Sequence, residues 1–340
     1  MINEYKLNQE ENLLIDELTK NILQKYHSPE NEEFLSLASL LAHDLPIRLK
    51  KILHSFKEQE DKYSACKVSG YNIDDTIIGK TPLCWEDKLA SNHLTIQESI
   101  YLVLCGSLIG YPIAWATQQE GFVVHDIFPI EKHRNSQLGF SSDQQLEWHT
   151  EDAFHPLRGD YLAIMGLRNH DKIPTLICTT NDIDLTQKAL KPLFNTTYRI
   201  KPDESHLFIN QSQSHNDERL KTSQNMMQEQ NINLHEIAVL FGNPINPYWR
   251  LDPYFMEIPN ETKAKEALEL LIKLIDENIK PIVIDAGEIL FCDKYRVVHG
   301  RGSFNAKFDG TDRWLKRLNI VNDLRKSRAS RKSAKSRILY

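Results

Sequence analysis

The five cysteines of this chain form no Cys-x-x-Cys pair. Cys66, Cys84, Cys105, Cys178 and Cys292 are scattered over 340 residues. A disulfide framework is expected to show an even number of cysteines, and a structural zinc site is expected to show closely spaced ones. The pattern argues against both and predicts reduced thiols in a cytoplasmic protein.

Long apolar runs are also missing. No stretch approaches the roughly 20 apolar residues of a membrane-spanning helix. The first ten residues are polar and mixed in charge, unlike a secretory signal peptide. We therefore expect a cytoplasmic location and no membrane partner.

Two kinds of periodicity divide the chain. Hydrophobic residues make up 41% of the sequence, enough for a large core at this length. Helical spacing predominates up to about residue 60 and returns at residues 95–108 and 261–279. Short strands with turns predominate from Pro112 onward, and the expected strands include residues 115–119, 123–130, 160–168 and 175–180. The sequence predicts a mixed α and β fold in which helices wrap an all-β core.

One segment, residues 146–155 (LEWHTEDAFH), has the residue types of a metal site. It is expected to be a strand that leads into a turn, so His149 and Glu151 would project from the same face. An imidazole and a carboxylate side by side are two thirds of the 2-His-1-carboxylate triad that binds Fe(II). Such a pair also arises by chance, and a hydrogen-bonded histidine is the simpler interpretation.

The third ligand has two candidates. We place it at His299, in the apolar strand 295–301, while His155, which would complete a His-x-Glu-x-x-x-His pattern, is the other candidate. Fourteen residues after His299 comes Arg313, followed by Arg317. Each guanidinium could bind a carboxylate with two parallel hydrogen bonds. One would suit a dicarboxylate co-substrate and the other an amino-acid carboxylate.

At these motifs the chain resembles a known family. The matching segments are 148–156 (WHTEDAFHP), 167–169 (LRN), 298–301 (VHGR) and 310–317 (GTDRWLKR). They resemble the clavaminate-synthase-like Fe(II)/2-oxoglutarate oxygenases, most of all the bacterial hydroxylases of free L-arginine and L-lysine. The similarity runs from about Pro112 to the C-terminus.

The resemblance implies a single oxygenase domain over residues 1–340. Its core would be a double-stranded β-helix (a jelly roll, cupin-like) at residues 111–325, with mainly helical support from residues 1–110 and a basic tail at 326–340. The cofactors would be Fe(II), the co-substrate 2-oxoglutarate and O₂, and the partner a small-molecule amino acid. Residues 203–231 are the most polar run, which is typical of a lid or a disordered segment. In the family a mobile lid lies here.

The resemblance also implies roles for single residues. His149, Glu151 and His299 would hold Fe(II). Arg313 would bind the distal carboxylate of 2-oxoglutarate, with Thr175 nearby.

The amino acid would meet a second set of residues. Its carboxylate would bind Arg317, its amino group would contact Gln118, and its distal end would meet Asp252. Asp203 and Glu151 would add negative charge. Residues 118 and 119 are both glutamine, so a structural role for Gln118 stays open.

The identity of the amino acid depends on residues 250–252. Arginine hydroxylases of this type use a pair of acids here, whereas this chain has Arg250-x-Asp252, which resembles the lysine hydroxylases. The run 311–317 is more similar to the arginine group, so both substrates and both target carbons, C3 and C4, stay open. The alternatives are desaturation, a citrulline-like or carrier-tethered amino acid, and a peptidyl or nucleic-acid oxygenase. The metal motif and both arginines argue against a non-catalytic jelly-roll binding protein.

Charge is unevenly distributed. Residues 313–340 carry ten basic residues and one acid, Asp323, for a net charge of +9, against −15 in residues 1–312. A basic tail can bind nucleic acid, but no nucleic-acid module precedes it. We expect the tail to pack on the acidic body of its own chain or on a neighbouring subunit of a homo-oligomer.

Overall fold

The computed structural model describes residues 2–206 and 218–340. Within these ranges the α-helices are α1 (Gln9–Tyr26), α2 (Glu32–Leu41), α3 (Ile47–Glu58), α4 (Trp85–Ser91), α5 (Ile96–Ser107), α6 (Glu218–Ile232) and α7 (Thr262–Asn278). The strands of the first half are β1 (Ile2–Lys6), β2 (Ala65–Ser69), β3 (Tyr111–Trp115), β4 (Val124–Ile127), β5 (Leu146–His149), β6 (Tyr161–Arg168), β7 (Pro174–Thr179) and β8 (Tyr198–Arg199). Those of the second half are β9 (Glu236–Ile237), β10 (Leu240–Asn243), β11 (Asn246–Trp249), β12 (Lys280–Val283), β13 (Ile289–Asp293), β14 (Val297–Arg301), β15 (Trp314–Val321) and β16 (Ile338–Leu339).

The N-terminal helices form where the apolar period predicts them. At the start of α1, Asn8 and Glu11 form a reciprocal capping box. One face of α1, with Ile15 and Ile22, is buried, and α5 is buried from Ser99 to Ser107. No described helix is long and apolar enough to cross a bilayer.

Two sheets carry the candidate site. The larger has the strand order β1-β2-β13-β6-β15-β3-β16, with β4 also paired to β15, and the smaller has the order β12-β7-β14-β5. The chain alternates between them, since β4, β6, β13 and β15 lie in the larger sheet and β5, β7, β12 and β14 in the smaller. The predicted mixed α and β fold is confirmed.

Two apolar clusters hold the layers together. One packs the helices against the larger sheet and includes Leu49, Phe56, Ile100, Leu104 and Leu318. The other joins strands of both sheets through Leu162, Ile164, Ile177, Leu290 and Leu315. Each fully buried side chain of this size contributes about 1.5–3 kcal/mol to stability, so the sheets are fixed firmly where the site lies.

Several local predictions need correction. The polar residues of β1 form a strand because they pair in parallel with β2, so the N-terminal part is not only helical. The predicted strand 115–119 is wrong except at Trp115, where β3 ends, and Gln119, Glu120 and Gly121 have φ of 41°, 58° and 79°. Those dihedrals cannot continue a strand.

The basic tail packs on its own chain, one of the two predicted locations. Strand β16 pairs in parallel with β3. Arg337 donates from Nη2 to the carbonyl of Leu35 at 3.0 Å, and Ser333 donates to Glu32 at 3.0 Å. Of the basic residues in the tail, Arg331 and Arg337 are buried, whereas Lys326, Arg328, Lys332 and Lys335 are exposed.

Candidate metal centre and substrate cavity

Two adjacent strands bring His149 and His299 together. Strands β5 and β14 are antiparallel, and these histidines are directly opposite each other, with ring centroids 4.6 Å apart. Strand β5 ends at His149, so the predicted strand is shorter than expected, and the turn after it supplies Glu151. The Glu151 Oε2 lies 3.5 Å from His149 Nε2 and 3.3 Å from His299 Nε2.

The three side chains fit a transition-metal ion. Each offers one ligand atom, and the three atoms lie within 4.8 Å of one another. The Nδ1 of His149 lies 2.8 Å from the carbonyl of Glu147, which turns Nε2 towards the carboxylate. Two imidazoles and one carboxylate are the donor set of the facial triad of non-haem Fe(II) oxygenases. His155 belongs to no such described group.

The electrostatics keep the carboxylate charged. Burial opposes ionisation of Glu151, but the Arg317 guanidinium and the two histidines hold its pKa well below the usual range. Despite burial, the hydrogen bond to Glu151 and the charge of Asp252 raise the pKa of His149 to about 9. Burial lowers the pKa of His299. Glu151 is therefore negatively charged and can bind a metal cation.

A second group of side chains with metal-ligand chemistry lies near the first, and its Asp152 carboxylate is paired with a lysine. Asp152, Asp203 and His206 lie close together, but the Lys294 ammonium lies 3.1 Å from Asp152 Oδ2. Trp115 Nε1 also donates to Asp152, at 3.0 Å. Asp152 has φ 51°, and its Oδ1 lies 3.2 Å from His206 Nε2. We interpret this group as structural, and the His206 side chain is fully buried.

The triad lies in an open cavity that is lined by residues from both sheets. Arg313, Thr175 and Arg301 contribute to its wall. Arg313 donates from Nη2 to Thr175 Oγ1 at 2.9 Å. Burial, and next the charge of Arg301, lowers the pKa of Arg313 to about 9. A desolvated arginine without a carboxylate partner among the described residues is suited to bind an anionic ligand.

Acidic residues line the same cavity. Asp203 and Asp252 both face it. Burial raises the pKa of Asp252 to about 6, the charge of His149 acts against this rise, and the charge of Asp203 adds to it. The two acids thus lie close enough to interact, and together they favour a cationic ligand.

The Arg250 side chain does not lie at the substrate cavity, where its sequence position had suggested it. Its Nη2 donates to the carbonyl of Phe154 at 2.8 Å, and its Nε donates to the carbonyl of Ala153. Arg250 is not among the residues that line the cavity. It therefore does not oppose the charge of Asp252 at the cavity wall.

Arg317 connects three groups. Its Nη1 forms an ion pair with Glu151 Oε1. Its Nη2 donates to Gln118 Oε1 at 3.2 Å and to His125 Nδ1 at 2.7 Å. Arg317 thus lies between the metal-binding carboxylate and strand β4.

Gln118 lies at the border of the cavity. Its Nε2 donates to Ser205 Oγ at 2.5 Å and lies 2.9 Å from His206 Nε2. It lines a neighbouring cavity, which shares Ser205 and Arg317 with the first. Gln118 therefore reaches the metal cavity through these two residues.

The predicted lid, residues 203–231, is only partly described. Residues 207–217 lie outside the described residues. Asp203 accepts hydrogen bonds from the backbone N–H and the hydroxyl of Ser205. Residues from Glu218 form α6, a helix that the polar composition did not predict.

The structure therefore brings nine predicted site residues to one region: His149, Glu151, His299, Arg313, Thr175, Arg317, Gln118, Asp203 and Asp252. The sequence did not indicate His125, Arg301, Tyr254 or Lys294. His125 and Tyr254 had no recognisable motif, whereas Arg301 was already visible within the segment VHGR.

Comparisons with known proteins agree with this site. No family model matches the chain. The chain is 39% identical over 331 residues to the enduracididine beta-hydroxylase of Streptomyces hygroscopicus, with 96% of both proteins covered. It is 38% identical over 341 residues to the L-ornithine/L-arginine 3-hydroxylase of Catenulispora acidiphila, with 98% of both covered. An L-lysine 4-hydroxylase of Chitinophaga pinensis is 28% identical over 315 residues, which are 89% of this chain and 76% of that protein.

Solved structures of the non-haem iron oxygenase OrfP match 99% of this chain at 38% identity. The TM-score is 0.92 for its complex with Fe, succinate and (3S)-hydroxy-L-Arg. It is 0.86 for its complex with Fe and alpha-ketoglutaric acid. The chain therefore belongs to the clavaminate-synthase-like Fe(II)/2-oxoglutarate oxygenases, in the group of bacterial basic amino-acid hydroxylases.

Proposed function

We propose that this protein hydroxylates C3 of a free basic L-amino acid with a guanidinium side chain, L-arginine or a close analogue. The products would be the hydroxy-amino acid, succinate and CO₂. The observation that carries the proposal is that Asp203 and Asp252 line the same cavity as the His149, Glu151 and His299 triad. A cationic side chain bound there would lie beside the metal.

The triad residues would hold Fe(II), and Glu151 would bind it through Oε2, the oxygen that faces both histidines. When bound, the metal supplies the oxidative decarboxylation of 2-oxoglutarate and the oxygen transfer to carbon. A triad that keeps its carboxylate favours hydroxylation over halogenation, because halide needs that ligand position. Desaturation is the alternative outcome at the same site.

Arg313 and Thr175 would bind the distal carboxylate of 2-oxoglutarate. The guanidinium has five N–H donors, of which Nη2 is held by the Thr175 hydroxyl and Nε has no partner among the described residues. A dicarboxylate would neutralise a charge that is now buried, and this favours its binding.

Arg317 and Gln118 would bind the amino-acid end of the substrate. Arg317 already holds one carboxylate, Glu151, and its geometry suits a second. The orientation of Gln118 is restrained by Ser205 and His206. These contacts would align the target carbon with the metal, where an offset of about 1 Å can cost two orders of magnitude in rate.

Asp203 and Asp252 would bind the distal cation. Arginine is favoured over lysine for two reasons. Arg250 donates to backbone carbonyls, so it does not compete with a cationic substrate side chain for the two acids. In addition, the relatives named for enduracididine and for L-ornithine/L-arginine are 38–39% identical to this chain, against 28% for the lysine 4-hydroxylase. The enduracididine hydroxylase and the L-ornithine/L-arginine hydroxylase are named for the β or 3 position. This favours C3 over C4.

The architecture supports a finer description of the fold. We infer that strands β4, β5, β6, β7, β12, β13, β14 and β15 form a double-stranded β-helix, since they alternate between two four-stranded faces. The whole chain would be one oxygenase domain, with residues 203–231 as its lid. The five free thiols are consistent with a reducing cytoplasm.

The test is product analysis with purified protein, Fe(II), 2-oxoglutarate and O₂. Each free L-amino acid is supplied in turn, and succinate and the mass of the product are measured. We expect a gain of one oxygen on L-arginine or a guanidino analogue, with succinate in equal amount. A loss of two hydrogens would indicate a desaturase, and turnover of citrulline or of a peptidyl arginine alone would contradict the proposed substrate.

Lysine provides the matched comparison, because its ammonium carries the same charge in another shape. Asp252→Asn should weaken arginine binding by about tenfold or more, the loss expected for a hydrogen bond to a charged group. Equal use of lysine and arginine by the unmodified protein would show that the two acids select charge only.

A further inference from the structure

His125 lies beside Arg317 on the neighbouring strand. The two residues are direct partners in the antiparallel pairing of β4 and β15, so their side chains project from the same face of the sheet. Arg317 Nη2 and His125 Nδ1 are 2.7 Å apart. His125 is 3% exposed and does not line the metal cavity.

The chemistry of this contact fixes the state of the imidazole. A guanidinium can only donate, so Nδ1 must accept, and the proton of a neutral ring is on Nε2. Burial and the Arg317 charge hold the pKa of His125 well below the usual range. Lys88 acts in the same direction, while Glu151 and Asp152 oppose it. The ring is therefore a neutral acceptor.

The neutrality of this acceptor matters for Arg317. A carboxylate at position 125 would orient the guanidinium equally well but would compensate its charge. A neutral imidazole fixes the direction of Nη2 and leaves the charge for a ligand. The Nε of Arg317 is buried and has no partner among the described residues, so one donor of the guanidinium is unused.

The position also carries a cost in stability. The Nε2 of His125 is buried without a hydrogen-bond partner among the described residues, and such a group is destabilising. A leucine would fill similar space without that cost. A residue that is unfavourable for stability and contacts the site is typical of a functional constraint.

We propose that His125 is a positioning residue that orients Arg317 for the carboxylate of the amino-acid substrate. Through the Arg317 contact with Glu151 Oε1, it also helps to keep Oε2 directed at the metal-binding histidines. The inference rests on the proposed function, since it assigns Arg317 to the amino acid.

Three substitutions separate positioning from packing. His125→Asn places an oxygen near the Nδ1 position and keeps a neutral acceptor. His125→Leu removes the acceptor, and His125→Asp adds a charge that compensates Arg317. The KM for L-arginine, the KM for 2-oxoglutarate and kcat are measured for each, together with Tm.

A binding measurement makes the test independent of turnover. The affinity of the anaerobic Co(II)-substituted protein with 2-oxoglutarate for L-arginine is measured by calorimetry. We expect His125→Leu to weaken binding and raise the KM for arginine by about tenfold, as for one hydrogen bond to a charged group. The KM for 2-oxoglutarate should not change, and Tm should not fall. His125→Asn should retain the affinity for arginine within about threefold, a smaller change than the loss of one hydrogen bond to a charged group would cause. His125→Asp should bind arginine more weakly than His125→Leu.

Two results would overturn the inference. One is unchanged arginine affinity in His125→Leu. The other is equal loss in the Asn and Leu variants together with a lower Tm, which would indicate packing alone. If the unsubstituted protein binds and oxidises no amino acid, the proposed function fails and the inference fails with it. If the unsubstituted protein oxidises arginine but the His125 variants all bind it equally well, the inference fails and the proposed function stands.

Discussion

His149 and His299 face each other across the β5–β14 ladder, with ring centroids 4.6 Å apart. Because both are fixed by strands of one sheet, removal of one imidazole should not disturb the backbone. We expect His299→Ala to lose metal affinity by more than the 10–100-fold typical of an outer-shell partner, with Tm nearly unchanged.

Anaerobic titration with Co(II) or Fe(II) would measure this loss, and turnover should fall with it. A His155→Ala variant is the matched control, since His155 lies just after the same turn but outside the triad. Retention of tight metal binding by His299→Ala would remove that residue from the centre.

The Arg313–Thr175 contact predicts how the co-substrate is bound. Thr175→Val removes the hydroxyl that accepts from Arg313 at 2.9 Å, and a hydrogen bond to a charged group contributes about 1.5–3 kcal/mol. The KM for 2-oxoglutarate should rise by about tenfold or more, with little change in the KM for the amino acid. Arg313→Lys should be worse, because an ammonium lacks the planar fork. A change in the amino-acid KM alone would contradict the assignment.

Asp252 predicts the pH dependence of substrate binding. Burial raises its pKa to about 6, and only the charged form attracts a cation. The KM for arginine should therefore be low above pH 6 and should rise as the pH falls through that value. Asp252→Asn should show a high KM that is flat over this range. A KM for the unsubstituted protein that is constant between pH 5 and pH 8 would contradict the prediction.

The same residue should reduce stability at neutral pH. Its pKa is raised from 3.8 to about 6, and each unit is worth about 1.4 kcal/mol. The buried charge therefore lowers the free energy of unfolding as the pH rises from 4 to 6, by about 3 kcal/mol in total. Urea denaturation should find Asp252→Asn more stable than the unsubstituted protein at pH 8, with the difference vanishing near pH 4.

Asp152 and Lys294 form a buried pair that supports the metal-binding turn. Both are almost fully buried, and the Lys294 Nζ lies 3.1 Å from Asp152 Oδ2. Removing one partner of such a pair costs about 3–5 kcal/mol, because the other charge is left unpaired. We expect Lys294→Met to lower the urea midpoint strongly.

The double variant Asp152→Asn with Lys294→Met should lose less stability than the sum of the two single variants. Additive losses in denaturation experiments would show that the two side chains are not coupled.

The helices and the metal motif were accessible from the sequence because they depend on local pattern. The apolar period predicted α5 and α7 close to their observed bounds. The spacing of His149 and Glu151 indicated a shared side, although the strand ends at His149 and the turn supplies Glu151. Family motifs placed His299 and Arg313.

Other features were decided by contacts between distant segments. Polar residues of β1 become a strand only because β2 offers it hydrogen-bond partners. Strands β12 and β13 are close in sequence yet belong to different sheets. The role of Arg250 could not be predicted, since its direction is set by the carbonyls of Ala153 and Phe154, almost one hundred residues earlier.

The sequence by itself determined which residue types were available for chemistry and the elements on which they lie. Local hydrogen bonding and apolar periodicity are enough for that. Only the tertiary structure decided which charges meet: Asp203 beside Asp252, and Arg317 between Glu151 and His125. Electrostatic interactions depend on separation in space and on burial, and neither is encoded in the distance between two residues along the chain.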